Sequence, residues 1–312
     1  MSDDTQHTEG KGLEKVLLAH LDEQRRSRRW GIFFKSLTLA WLFGALILFF
    51  VHGDGDFTPT AHTALIELQG EIGSADGVFA DDIIVALGDA FADSRTRGVV
   101  LRCNSPGGSP VQAGQIHDEI RRLRAVHPDL PVHAVVDDLC ASGGYYAIAA
   151  VDNIYVDKAS IVGSIGVLLN GFGFTESMKK LGVERRLLTA GESKSFLDPF
   201  SPLNKKQVAH AQAMLGEIHQ QFIDVVKAGR GDRLRETPGL FSGLVWSGAR
   251  SIELGLADDF GSLDRVAREV VQAEEIVDYT PRQNLVDRLA RHLGSAIGSS
   301  LGVAASPALR MH

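Results

Sequence analysis

The polar and apolar positions divide the chain into stretches of different character. Residues 1–24 are polar and mixed in charge, with a short helix expected from Leu13 to Leu21. From Ser36 to Val51 (SLTLAWLFGALILFFV) there is no charged residue, and extending back to Ile32 meets only Lys35. About 20 apolar residues span a bilayer, and a lysine near one end can reach the headgroups. Arg25, Arg26, Arg28, Arg29 and Trp30 flank the same end. The pattern therefore predicts a transmembrane signal anchor over residues 31–51, with a cytoplasmic leader (1–30) and the remainder outside the cytoplasm. No small-x-small cleavage site follows Val51, which argues against a removable signal peptide.

Residues 52–62 (HGDGDFTPTAH) read as a Gly/Pro/Thr linker. Beyond it, residues 63–280 alternate between strand-like and helical patterns. Strands are expected at Ala64–Leu68, Gly98–Leu101 (ending in Cys103), Pro131–Val136, Ile154–Val156, Val167–Leu169 and Val183–Leu188. Helices are expected near Asp81–Phe91, Val111–Val126, Tyr145–Ala150, Glu176–Leu181 and Asn204–Ala228. Such alternation predicts an α/β fold with a largely parallel sheet flanked by helices. Residues 281–312 form a Gly/Ser/Ala-rich tail with an amphipathic helical stretch, Leu285–Leu293. No internal repeat is apparent.

Composition narrows the classes. With 312 residues, 44% hydrophobic and 23% charged, the chain has ample core for one large domain or two. A net charge of −7 speaks against a general nucleic-acid binder. Two cysteines, Cys103 and Cys140, exclude a disulfide-rich scaffold and any CxxC zinc pattern. Each ends an expected strand, so the two could be sheet neighbours. Buried thiols are the first expectation and a single disulfide the second.

The candidate chemistry centres on Ser142, in LCASGGYY between a strand and a helix. A serine there can stand clear of the backbone, and the following Gly143 amide lies at a helix N-terminus suited to a developing oxyanion. The ordinary alternative is a helix N-cap. A second turn of the same kind, Asn104-Ser105-Pro106-Gly107-Gly108, could present another amide through its glycines. It matches neither a dinucleotide fingerprint nor a P-loop. A hydroxyl nucleophile needs a base, yet none of the eleven histidines falls between His133 and His210, and no GxSxG elbow is present. Lysine can serve if an apolar setting favours its neutral form. Lys194 is the candidate, with Phe196, Leu197, Pro199 and Phe200 close behind it. A lysine beside aromatics is more commonly a surface residue covering apolar area with its stem.

Four motifs occur in one order: SPGG at Ser105–Gly108, LCASGGYYAIAA around Ser142, VGSIGV at Val162–Val167, and AGESKSFLDPF at Ala190–Phe200. Together with WSGARSIELGLADDFGSLDRV they resemble the signal peptide peptidase A family of membrane serine proteases, from about Ala64 to Val270. The separation of 52 residues between Ser142 and Lys194 is similar to that of the short bacterial members. The resemblance implies a Clp-protease/crotonase-like fold. It implies Ser142 as nucleophile, Lys194 as general base and Ser164 as the residue orienting the lysine. It also implies oxyanion amides from Gly143 and from Gly108 or Gly107, Gly108 being preferred, with no metal or organic cofactor. A homo-oligomeric ring, octameric in characterised short members, is implied, with sites combining residues of neighbouring subunits. Apolar specificity pockets and cleavage of signal-peptide remnants or other hydrophobic peptides complete the expectation. The location implied is a bacterial inner membrane, single-pass, with the catalytic domain in the periplasm. Two other readings compete: a crotonase-type acyl-CoA enzyme on the same fold, and a non-catalytic membrane scaffold.

Overall fold

Apolar runs long enough for one buried strand each, separated by amphipathic stretches, build the sheet and its cover. The computed structural model describes residues 28–45, 61–75 and 77–281. Strand β1 (His62–Gln69) is buried over nearly its whole length, as are β2 (Thr96–Ser105) and the first half of β3 (Val132–Ala141). Burial on both faces explains why these strands read as continuous apolar runs rather than as an alternation. Between them, α1 (Ala80–Ala92) buries Ala80, Ile83, Ala86, Leu87, Ala90 and Phe91. This is the three-to-four spacing of a helix with one face in the core. Helix α2 (Pro110–Val126) starts with Pro110 after an N-cap, Ser109, whose side chain accepts from the Gln112 amide.

Downstream lie α3 (Gly143–Ile148), β4 (Asn153–Val156), β5 (Ile161–Gly163), α4 (Thr175–Lys180) and the long α5 (Lys205–Arg230). They are followed by β6 (Val245–Ser247), α6 (Gly248–Glu253), β7 (Asp259–Phe260), α7 (Leu263–Arg265, continuing as a π-helix over Val266–Val271) and β8 (Ile276–Asp278). The sheet runs β6-β5-β3-β2-β1-β8, with β4 paired to β3 and β7 to β4. Every pairing is parallel except β5 with β6.

Strand β3 is shared between two partners. Its first half pairs with β4, and Leu139–Ala141 pairs with β5. The fork is stitched by Ser160, whose Oγ donates to the carbonyls of Val136 (3.2 Å) and Asp137 (2.6 Å). The end of β3 thereby leaves β4 and pairs with β5 instead.

The chain divides into two compact units, Met1–Thr58 and Pro59–His312. In the first, residues 28–45 are helical, with Trp30 against Phe33 and Phe34. Among the described residues no helix is long and apolar enough to cross a membrane. Residues 46–51 of the expected anchor lie outside the described residues, as do the expected helices Leu13–Leu21 and Leu285–Leu293.

Three expectations are corrected. Val167–Leu169 and Val183–Leu188 do not form strands, and the short strand in that part of the chain is Ile161–Gly163. From Gly166 to Asn204 no residue is buried, so among the described residues these apolar segments have no core face to pack on. Cys103 and Cys140 are not free thiols but a disulfide: they lie on adjacent strands, fully buried, with Cα atoms 5.7 Å apart. That spacing falls within the range a disulfide spans.

The C-terminal end of α5 is fixed by a buried ion pair. Arg230 donates to both carboxylate oxygens of Asp258 (2.9 and 2.7 Å) and to the Gly255 carbonyl (2.8 Å). Asp258 also accepts from the Ile154 amide (2.7 Å). Burial pushes the Asp258 carboxyl upward, but Arg230, the Ile154 amide and Arg233 outweigh it and hold the group below its ordinary value. A fully buried guanidinium is tolerated here because each of its nitrogens has an acceptor.

Candidate active site

The strand-to-helix turn after β3 places Ser142 in an uncommon backbone conformation, φ 51° and ψ −125°. A non-glycine residue there is strained and is held by its surroundings. The Ser142 amide donates to Gly163 O (2.9 Å), and its carbonyl accepts from the Tyr146 amide (2.9 Å). Its hydroxyl caps no amide of α3, which sets aside the N-cap alternative. The side chain instead lines a cleft of about 580 Å³ with Gly143, Gly108, Ser164 and Tyr146.

The second turn meets the first at close range. Ser105 is fully buried, and its Oγ accepts from the Gly107 amide (3.2 Å). Gly107 (φ 112°) passes so near that a Cβ there would lie 2.6 Å from the Ser142 Cβ and 2.8 Å from the Gly143 nitrogen. Gly108 pairs with Ile72: the Ile72 amide donates to Gly107 O (2.7 Å), and Ile72 O accepts from the Ser109 amide (2.9 Å). Those bonds straddle Gly108 and do not use its own N–H. The Gly108 nitrogen lies 3.2 Å from where a Gly143 Cβ would stand. The two turns thus bring the Gly108 nitrogen close to Gly143, next to Ser142. Such an arrangement can hold an oxygen on which negative charge develops.

Ser164 also has positive φ (53°), directly after Gly163 (φ 114°), and its amide donates to Leu244 O (2.8 Å). His219 of α5 hydrogen-bonds the adjacent Ile165 carbonyl (3.1 Å), so the loop is held from two sides. The opposite wall comes from α5 through Ile218, Gln221 and Phe222. These positions have helical spacing, but nothing in the sequence marked them as facing Ser142. Tyr146 stacks at a tilt on Phe222 (5.0 Å) and edge-on to His117 (5.6 Å). Burial raises the Tyr146 hydroxyl's pKa and lowers that of His117, keeping both neutral.

Lys194 is not brought to this cleft. It is exposed, in a turn where its amide donates to Gly191 O (3.2 Å), and it is not among the cleft's lining residues. Ser142, Gly143, Gly107, Gly108 and Ser164 therefore converge within the chain, and Lys194 stands apart. Among the described residues no group of His, Cys, Asp and Glu could hold a metal ion.

Comparison with known proteins gives the family. The model for peptidase family S49 matches residues 124–277. The "Putative protease MJ0651" of Methanocaldococcus jannaschii is 30% identical over 248 residues, covering 76% of this chain and 79% of that one. The chain belongs to peptidase family S49. The likeness to signal peptide peptidase A read from its motifs is thereby borne out. Protease 4 of Haemophilus influenzae is 32% identical over 219 residues, 69% of this chain and 35% of that protein. Similarity at 42% identity over 222 residues also extends to a protein named Na(+)/H(+) antiporter NhaA in Brucella melitensis. The match covers 68% of this chain, which spans 29% of the antiporter's length.

Proposed function

We propose that this family S49 chain is a membrane-anchored serine endopeptidase working through a Ser142–Lys194 dyad. The observation that carries the reading is the uncapped Ser142 hydroxyl, in a strained turn, beside the Gly108 and Gly143 amides. Ser142 Oγ attacks the peptide carbonyl as its proton passes to Lys194 Nζ, and the two amides hold the resulting oxyanion. Collapse expels the amine, which takes the proton from Lys194 and leaves an ester on Ser142. Water then attacks the ester, Lys194 again receiving the proton, and the acid is released as Ser142 regains its hydrogen. Ser164 orients the lysine.

The exposed position of Lys194 supports its delivery by a neighbouring subunit of a homo-oligomeric ring. So does the surrounding segment, which leaves Leu168 (81%), Phe172 (76%), Leu188 (97%) and Leu203 (76%) open to solvent. Apolar side chains left open in one segment support the reading that another chain covers them. Peptides with apolar side chains fit a cleft walled by Tyr146, Val167, Leu168, Ile218 and Phe222. Membrane-released signal peptides are the substrate class in view. The charge-free run after Arg28 and Arg29 would anchor the chain, with the Clp/crotonase-like domain on the extracytoplasmic side.

The test is labelling of the full chain by a serine-reactive fluorophosphonate. Label mapped to Ser142, and lost in Ser142→Ala and Lys194→Ala, is the expected result. Labelling that survives Lys194→Ala removes the dyad. Absence of both labelling and peptide hydrolysis in a folded oligomer favours the scaffold reading.

A further inference from the structure

The disulfide joins the two strands just before the two turns proposed to hold the oxyanion. Cys140 precedes Ser142 by two residues, and Cys103 precedes Ser105 by two. Both are fully buried. The strand ladder between them is irregular. Cys103 faces Val136, but the next pair is Ser105 with Cys140, so β3 advances four residues while β2 advances two. The extra residues of β3 include Asp137 and Asp138, at the point where β3 leaves β4 for β5. Regular ladder hydrogen bonds therefore do not by themselves fix how far the end of β3 extends past the end of β2. That offset decides whether the Gly143 amide, carried by β3, meets the Gly108 amide, carried by β2.

We propose that the Cys103–Cys140 disulfide is a positioning device for the oxyanion site, fixing the Ser142–Gly143 turn against Gly107–Gly108 across the broken ladder. The proposal rests on the peptidase reading above. Neither cysteine is a catalytic residue: each acts through the turn two residues further on. Forming the bond takes two thiols to one S–S bond, releasing two protons and passing two electrons to a disulfide-class oxidant, which is reduced to its two thiols. Such oxidants act mainly outside the reducing cytoplasm, which agrees with the extracytoplasmic placement proposed above. Being sealed from solvent, it is a constitutive staple rather than a switch.

The experiment compares two forms of the full-length wild-type chain in detergent. One is matured with oxidised glutathione, and the other is produced and kept under thiol reductant. Free thiols are counted by mass after alkylation in denaturant. Peptide hydrolysis is resolved into kcat and KM, and fluorophosphonate labelling of Ser142 is timed. The oxidised form is expected to show no alkylated cysteine. The dithiol form is expected to keep its KM while losing at least ~10-fold in kcat, since small misplacements at a reacting centre are costly. Oxidised glutathione should restore kcat in step with loss of thiols. Two alkylatable thiols in the oxidised, folded chain overturn the bond. Equal kcat in the two forms overturns the positioning role, as does a folded Cys103→Ala/Cys140→Ala variant with lowered Tm and wild-type kcat. If that variant does not fold, the wild-type comparison still decides. If the oxidised form neither hydrolyses peptide nor labels at Ser142, the peptidase reading fails and the positioning role falls with it, while the thiol count still reports the bond.

Discussion

The two parts of the proposed dyad stand in opposite physical settings. Around Ser142, the residues of β2, β3 and α3 are mostly buried, two turns meet at van der Waals distance, and backbone strain is held by hydrogen bonds on both sides. Around Lys194, from Gly166 to Asn204, nothing is buried and apolar side chains face solvent. That segment is held mainly by local contacts. Arg185 pairs with Asp198 and lies over the Phe200 ring (5.4 Å), and Phe174 stacks on Phe200 (5.4 Å). One chain therefore assembles the cleft around Ser142, Gly143, Gly108 and Ser164 by itself and does not bring Lys194 to it. On the proposed dyad, the lysine would have to reach the cleft from elsewhere, and another copy of the chain is the source the proposal names.

The largest effect would test that division directly. Ser142→Ala and Lys194→Ala should each lower kcat by ~10⁴-fold or more, as loss of a nucleophile or its base does in serine proteases. Co-assembled from the two inactive chains, a ring whose sites pair Ser142 of one subunit with Lys194 of the next should recover roughly a quarter of wild-type activity by random mixing. No recovery in a mixed oligomer would place both groups in one chain and remove the contrast.

Within the buried half, Gly107→Ala puts a Cβ 2.6 Å from that of Ser142, at a φ of 112° that alanine resists. Loss of ~10²–10³-fold in kcat is expected, comparable to removing one oxyanion donor. An unchanged kcat in the folded variant would show that the close approach of the turns does not serve catalysis.

Asp258→Asn should act on stability. Leaving Arg230 buried without its charge partner costs ~3–5 kcal/mol in comparable cases, read as a lowered denaturation midpoint. The Asp258 carboxyl is held below its ordinary value, so its contribution is fully present above about pH 4. It is lost as pH falls through the depressed value. Acid unfolding of wild type should therefore steepen below pH 4 and be flatter in the variant.

The smallest effect on the chain itself is expected for Leu188→Asp. With the side chain 97% exposed, stability of the separated chain should change by less than ~0.5 kcal/mol. Association, measured by light scattering, should nevertheless weaken, and hydrolysis should fall with it. A variant that assembles and works normally would show that this face is not an interface.

Legibility followed the same divide. Burial on both faces makes β1, β2 and β3 plain in the sequence, and the glycines around Ser142 mark the turn because the backbone there needs them. Apolar content predicts strands at Val167–Leu169 and Val183–Leu188, but it does not say whether a core lies opposite them, and among the described residues none does. The β5 strand escaped notice because three residues carry too little pattern, and its existence depends on β3 and β6 flanking it. The α5 wall of the cleft was invisible for a related reason. Helical spacing gives Ile218, Gln221 and Phe222 a common face, but not which surface lies opposite.

By itself, the sequence determined the chemistry available: a serine and two glycine turns at strand ends, no histidine between His133 and His210, a lysine among aromatics, and the α/β alternation that supports them. Those are local properties, set by residue type and by periods of two and 3.6. The tertiary structure alone decided that Cys103 and Cys140 are joined, that β3 forks between β4 and β5, that the Gly108 amide stands beside Gly143, and that Lys194 lies outside the cleft of its own chain. Each depends on distances between segments far apart in sequence, which are fixed only when the strands take up their register.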